Sequence, residues 1–305
     1  MHQPGGVNVQ KRLGFPRALR ARLDDLGKCA RPALAALLAA IAIPAAALPS
    51  IAVKPAPAAV EQPALWVLSD ADTTIYLFGT FHALDDRTDW FAHNVRAAFD
   101  SSDELVLETL VPSDPVELLG LLQRHSLATP MVVGTPVVAS GRGSFGASAG
   151  QAMAAGRSVG LSVERGADAV LRRTADAEGK SVGGLESFDF QLNMFATLPA
   201  AAPVALTAVA APPPDAGRIL LDMRSAWQRG DASRFAHVLG SLEAQSPTTY
   251  QRLFVDRNIH WARWIAERME RPGTVFVAVG TGHLIGRDSV QHKLSRRGYT
   301  ATRIH

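Results

Sequence analysis

Cysteine occurs once in the 305 residues, as Cys29. The chain beyond it therefore has neither a disulfide framework, a Cys-ligated zinc site nor a thiol nucleophile. Cys29 also precedes the apolar run that follows it, whereas a lipid-modified cysteine would come just after such a run, so no lipid anchor is implied. An excess of basic charge is also missing over most of the chain. The formal charge of +3 comes from residues 1–54, where eight Lys or Arg face only Asp24 and Asp25, a net of +6 that leaves −3 over residues 55–305. A mildly acidic body carries no electrostatic footprint for DNA or RNA, so no nucleic-acid partner is expected. The hydrophobic content of 47% suits a globular core and argues against disorder.

Residues 1–54 read as a leader. A basic stretch to Arg31 precedes an Ala/Leu/Ile run from about Pro32 to Val53, followed by small residues and prolines, the order of an export signal with cleavage between Ala47 and Ala59. Pro44 and Pro49 interrupt the run, which favours cleavage over retention as a membrane anchor. In both cases the body faces outward, periplasmic or secreted, with membrane association through the leader if it is uncleaved.

A Pro/Ala linker, residues 55–63, leads into a domain over 64–305. Ala64–Leu68 and Thr74–Phe78 read as an entry hairpin, and Thr88–Ser101 as a helix running into a strand at Glu104–Leu107. Helices are expected at 115–127, 166–177, 216–230 and 247–271, with a short strand ending at Leu185-Glu186 and a last α/β unit from Thr274 to Ile304. Residues 128–160, rich in Gly, Ala and Ser, show little periodicity, and 198–214 reads as an Ala/Pro loop. The fold class expected is α/β: a split, parallel-type sheet core over about 64–110 and 272–305 with a strand near 180–186, and a mainly helical insertion over about 111–271.

The chemistry-bearing residues follow from an internal repeat. IYLFGTFHAL, holding Gly79 and His82, and FVAVGTGHLI, holding Gly280 and His283, are both buried-type strands ending in Gly-Thr-x-His. A parallel strand delivers its C-terminal end to the sheet rim, glycine permits the sharp turn, and the histidine then faces the crevice where α/β proteins bind ligands. A single Gly-x-x-His would more often be structural. Two in matching contexts point to a paired site, or else to a duplication that kept only its scaffold. Glu108 and Glu186 each end a short apolar strand, which places both carboxylates at the same rim or, alternatively, makes them helix caps or arginine partners. Histidine and carboxylate together suit Zn²⁺, Mn²⁺ or Co²⁺ with an open position for water, and a spare carboxylate can take the proton.

The segments ALWVLSDADTTIYLFGTFHAL, DWFAHNVRAAFDSSDELVLE, RGADAVLRRTADAEGKSVGGLES, RNIHWARWI and VFVAVGTGHLIGRDSVQHKLSRRGYTATRI, in that order, resemble the TraB/GumN family over about residues 64–305. That family is similar to the Tiki metalloproteases and belongs with the erythromycin-esterase-like and ChaN-like proteins. The resemblance implies an α/β core with helical insertions and turn glycines at Gly79 and Gly280. It implies a divalent metal near His82, Glu108 and His283, and an Arg257 that orients a carboxylate or meets an oxyanion. Read without it, Arg257 is a helix-surface or ion-paired residue. Asp168, in the family's Gly-x-Asp position, reads as a helix-start charge and stays outside the site. His93, His125, His237, His260 and His292 occur singly and read as core or surface residues, and Trp261 with Trp264 as a packing stripe.

The function expected is a metal-dependent hydrolase of a peptide or small-molecule substrate, with Glu186 and Arg257 as catalytic groups, peptide cleavage first and ester or lactone cleavage next. Two alternatives are a noncatalytic periplasmic protein that binds a ligand or metal in the same crevice, and an accessory protein of surface-polysaccharide production.

Overall fold

The computed structural model describes residues 61–125, 152–198 and 215–305. The leader and most of the Gly/Ser-rich and Ala/Pro segments lie outside the described residues. Six strands form one mixed sheet in the order β4-β3-β5-β2-β1-β6. β1 (Leu65–Ser69) and β2 (Thr73–Thr80) make the entry hairpin, antiparallel, with Leu65 opposite Phe78. β2 then runs parallel to β5 (Gly273–Gly280), β5 to β3 (Glu104–Thr109), and β3 to β4 (Ser181–Glu186). The two-residue β6 (Thr302–Arg303) closes the antiparallel edge against β1.

The inner parallel strands β2, β3 and β5 are largely apolar because both of their faces are covered, whereas the edge strand β4 buries only Leu185. Period-two alternation divides them between two cores. Phe78, Phe276 and Ala278 point to one side and pack with Phe99, Leu171, Trp227 and Phe235. Ile75, Leu77, Val275 and Val277 point to the other and pack with Trp261, Ile265 and Leu294. In chain order the helices are α1 (His93–Asp100), α2 (Pro115–Arg124), α3 (Ala167–Glu178), α4 (Phe188–Ala196), α5 (Ala216–Gln228), α6 (Ser233–Gln245), α7 (Pro247–Tyr250), α8 (Asp256–Arg268) and α9 (Val290–Ser295). Side chains of α1, α3, α5 and α6 roof the first core, and those of α8 and α9 cover the second. Fully burying a Phe or Leu contributes about 1.5–3 kcal/mol, so side chains such as Phe78, Phe99 and Phe276, all at zero exposure, hold the layers together.

Several boundaries differ from the sequence reading. The helix expected from Thr88 begins only at His93. Within 128–160, residues 152–158 are helical despite their weak periodicity. The long helix expected over 247–271 is three pieces: α7, a π turn at Gln251–Val255, and α8. α4 and α6 are additional helices with no counterpart in the sequence reading. The π turn shifts the helical register just before Arg257, and single π turns inside helices are frequent at functional sites.

Candidate functional site

All four rim residues come from C-terminal ends of parallel strands. The register sets Thr80 beside Gly280, Leu107 beside Ala278 and Thr109 beside Glu186, so the chain turns off β2, β3, β4 and β5 at one edge. His82 follows β2, Glu108 and Glu186 lie at the ends of β3 and β4, and His283 sits in the 3₁₀ turn after β5.

Arg257, from the first turn of α8, binds three of them, Glu108, Glu186 and His283. Its Nε donates to both Glu186 oxygens at 2.9 and 3.1 Å, and Nη2 donates to Glu186 Oε2 at 2.9 Å and Glu108 Oε2 at 2.8 Å. Nη1 donates to His283 Nε2 at 3.1 Å and to the Leu253 carbonyl, in the π turn, at 3.3 Å. All five N–H groups of the guanidinium are thereby engaged. Trp261, one turn on, donates its indole N–H to Glu186 Oε1 at 3.0 Å and lies under the guanidinium at 4.5 Å, a cation–π contact. Glu186, its side chain only 4% exposed, is locked in place by this set.

The two histidines differ in state. Asn258 uses its amide N–H on the carbonyls of Asp288 and His283, which fixes its orientation, so its oxygen accepts the His283 Nδ1–H at 2.6 Å. His283 Nε2 is then the lone-pair nitrogen, and it faces Arg257. Burial, followed by the charge of Arg257, lowers His283 to about 3, so the ring is neutral. His82 hydrogen-bonds Asp168 Oδ2 through Nδ1 at 2.7 Å, and chiefly this carboxylate raises it to about 9. Its side chain is 64% exposed, so solvent screens part of that pairing. Burial on its own would raise the Glu108 carboxyl, but Arg257 and the two imidazoles overrule it and hold the group well below the usual carboxylate range. Glu108 Oε1 also accepts the Gly280 N–H at 2.6 Å.

Two glycines make this closeness possible. A Cβ on Gly280 would lie 3.0 Å from Glu108 Oε1 and 3.2 Å from His82 Nε2, so these two atoms converge on the space a side chain would fill. A Cβ on Gly166 would lie 2.1 Å from the His82 carbonyl oxygen. Only glycine lets the start of α3 approach the His82 loop, where Ala167 N–H donates to the Phe81 carbonyl at 3.0 Å and Asp168 reaches the imidazole. Asp168 stands in the first turn of α3, as the sequence reading has it, and it also contacts His82, which that reading left out; its Gly-x-Asp spacing is the available signal. Asn258 and Trp261 carry no such signal, since their partners lie far off in sequence.

The chain matches the family model described as TraB/PrgY/gumN over residues 64–133 and 142–303. It belongs to that family. Neither curated proteins nor solved structures give a match.

The donor chemistry partly suits a divalent ion. Each imidazole has its Nδ1 on an oxygen partner, the support that metal-binding histidines use to orient Nε2. His82 Nε2, which must first give up the proton that Asp168 favours, and the ionised Glu108 Oε1 converge, and with Arg257 set against Glu108 and Glu186 the buried cluster keeps one net negative charge. The full three-residue set expected from the sequence is not closed. Arg257 takes His283 Nε2, and among the described residues no group of three or more His, Cys, Asp or Glu is placed to hold a metal ion. The fit is to two protein ligands, His82 and Glu108, with His283 behind Arg257.

Above these residues lies a cavity of about 460 Å³ between the rim and the helices α5 and α6. Its walls are mostly apolar, among them Phe81, Leu220, Met223, Phe235, Leu239 and Phe254, and its polar end is Thr80, His82, Glu108, Arg257 and His283.

Proposed function

We propose that the chain is a metal-dependent hydrolase that cleaves a carboxylic acid derivative, a peptide bond ahead of an ester or lactone, at the rim of the cavity. The observation that carries this reading is the convergence of His82 Nε2 and Glu108 Oε1 beside an arginine with no donor to spare. Charge developing on a carbonyl oxygen needs a positive partner. Arg257 has spent every N–H on Glu108, Glu186, His283 and Leu253, so the reading gives it the work of orienting carboxylates and not of meeting an oxyanion. His82 and Glu108 would hold Mn²⁺, Co²⁺ or Zn²⁺, and such an ion, when bound, polarises a carbonyl and acidifies a coordinated water.

The chain's own residues supply the rest. Asp168 holds the His82 ring with Nε2 toward the cavity. Arg257 and the Gly280 N–H fix Glu108 with one oxygen at the rim. Asn258 sets the His283 tautomer, and Glu186 and Trp261 keep Arg257 still. The apolar walls limit water around the scissile bond. The resemblance to Tiki metalloproteases favours the peptide bond. The leader read in residues 1–54 supports a periplasmic or secreted location, and among the described residues no helix is long and apolar enough to cross a membrane.

Metal content and turnover of the full chain against peptide and ester libraries test this, with His82→Ala and Glu108→Gln as controls. Activity that survives both substitutions would end the proposal. The apolar cavity also favours a second reading, a noncatalytic binding protein, for which the same substitutions change ligand affinity with no turnover to lose. Those walls are a poor match to a polysaccharide chain.

A further inference from the structure

We propose that the cavity above His82 and Glu108 is an acyl-chain pocket, and that the preferred substrate is an ester of a medium-length, straight-chain fatty acid. This deepens the hydrolytic reading by taking its ester branch ahead of its peptide branch, and rests on it for the cleavage step. Three observations carry the assignment.

The first is the distribution of polarity. At about 460 Å³ the cavity falls in the range that buries most of a small ligand. Leu220 and Met223 of α5 and Phe235 and Leu239 of α6 face it at helical spacing, i and i+3 or i and i+4. The polar groups gather at the rim end, while Arg157 and Glu164, both exposed, stand where the cavity meets solvent. A ligand with one polar end and a long apolar body matches that layout.

The second is the lack of partners for a peptide backbone. A buried peptide carries an N–H and a C=O at every residue, and each one left unpaired costs free energy. Walls of Phe, Leu and Met side chains answer none of them. An ester has one carbonyl to satisfy.

The third is Thr80. It is buried, lines the same cavity, and its hydroxyl has no hydrogen-bond partner among the described residues. A carbonyl or ester oxygen entering at the rim would supply that partner. In the reaction, water adds to the ester carbonyl, the acyl–oxygen bond breaks, and the fatty acid and alcohol leave, with the proton of water passing to the alcohol oxygen.

The test uses the full chain with Mn²⁺ present and p-nitrophenyl esters from acetate to dodecanoate, alongside calorimetric titration with decanoate. Burying each methylene should raise kcat/KM by up to about fourfold, until the chain outgrows the cavity. Met223→Trp, which fills the cavity, should lower the decanoate-to-acetate ester ratio at least tenfold and weaken decanoate binding. Leu220→Phe is the second variant should the first not fold. Decanoate binding that Met223→Trp weakens, with no ester cleaved, supports the acyl pocket and overturns the hydrolytic reading. Rates flat from acetate to dodecanoate, or peptide cleavage with no decanoate binding, overturn the acyl pocket while leaving hydrolysis in place.

Discussion

Replacing Arg257 by Met removes five N–H donors and one charge while keeping most of the aliphatic stem. In the native chain those donors meet Glu186 three times, Glu108 once and His283 once, with the remaining contact to the Leu253 carbonyl. Glu186 and Glu108 have side chains only 4% and 12% exposed, so the variant leaves Glu186 buried with no counter-charge and Glu108 with the His82 imidazole alone. Breaking a buried ion pair from one side costs about 3–5 kcal/mol, because the partner's desolvation is no longer compensated. For a domain of this size that is a fall of roughly 6–20 °C in Tm. A second substitution separates this cause from simple loss of packing. Arg257→Met with Glu186→Leu removes the charge pair and refills its space with apolar atoms, and should recover at least about 2 kcal/mol of the loss. Urea unfolding followed by circular dichroism on wild type, single and double variants gives the three free energies. A single variant within about 1 kcal/mol of wild type, or a double variant no more stable than the single, would refute the reasoning.

Other substitutions probe the site from different sides. Gly280→Ala should fold with unfolding free energy within about 1 kcal/mol of wild type, because φ −52° and ψ 134° are open to alanine, yet lose metal binding as its Cβ crowds Glu108 and His82; calorimetry and denaturation on one preparation check both halves. Asp168→Asn should weaken divalent-metal affinity about 10–100-fold by removing the carboxylate that orients His82, and an unchanged affinity would remove Asp168 from the site. Asp288 gives the pH test: burial would raise its carboxyl, but Lys293 at 2.6 Å, with Tyr250 and Arg287, lowers it below 3.8. A depressed carboxylate stabilises the fold above the unfolded value and loses that contribution as pH falls through the folded one. Asp288→Asn should therefore destabilise at pH 7, by an amount that shrinks as pH falls below the ordinary carboxylate range, read from denaturation midpoints across that range.

The rim of the sheet is legible in the sequence because a parallel strand announces itself. VFVAVG and IYLFG are apolar without alternation, and glycine followed by histidine marks the point where each leaves the sheet. Pattern alone therefore puts His82 and His283 at one edge, and the short apolar strands β3 and β4 bring Glu108 and Glu186 to it in the same way. What stays hidden depends on partners distant in sequence. Arg257 shares a helix face with Trp261, and a charge on an apolar stripe reads as surface or as buried until its carboxylates are placed. The π turn at 251–255 leaves no periodicity signal strong enough to find, and it sets the face that Arg257 presents. Asp168 has the pattern of a helix-start charge because the approach of Gly166 to the His82 loop is tertiary. α6 has Phe235, Leu239 and Leu242 at helical spacing, a weaker signal than its two neighbours give, and the cavity it lines with α5 depends on the packing of both.

The central claim is that His82 and Glu108 hold a divalent ion at the mouth of the apolar cavity. Its most direct test is calorimetric titration of Mn²⁺, Co²⁺ and Zn²⁺ into the full chain and into His82→Ala. The account predicts saturable binding of at least one of these ions at a single site, abolished in the variant; no binding in the wild type, or equal binding in both, would contradict it.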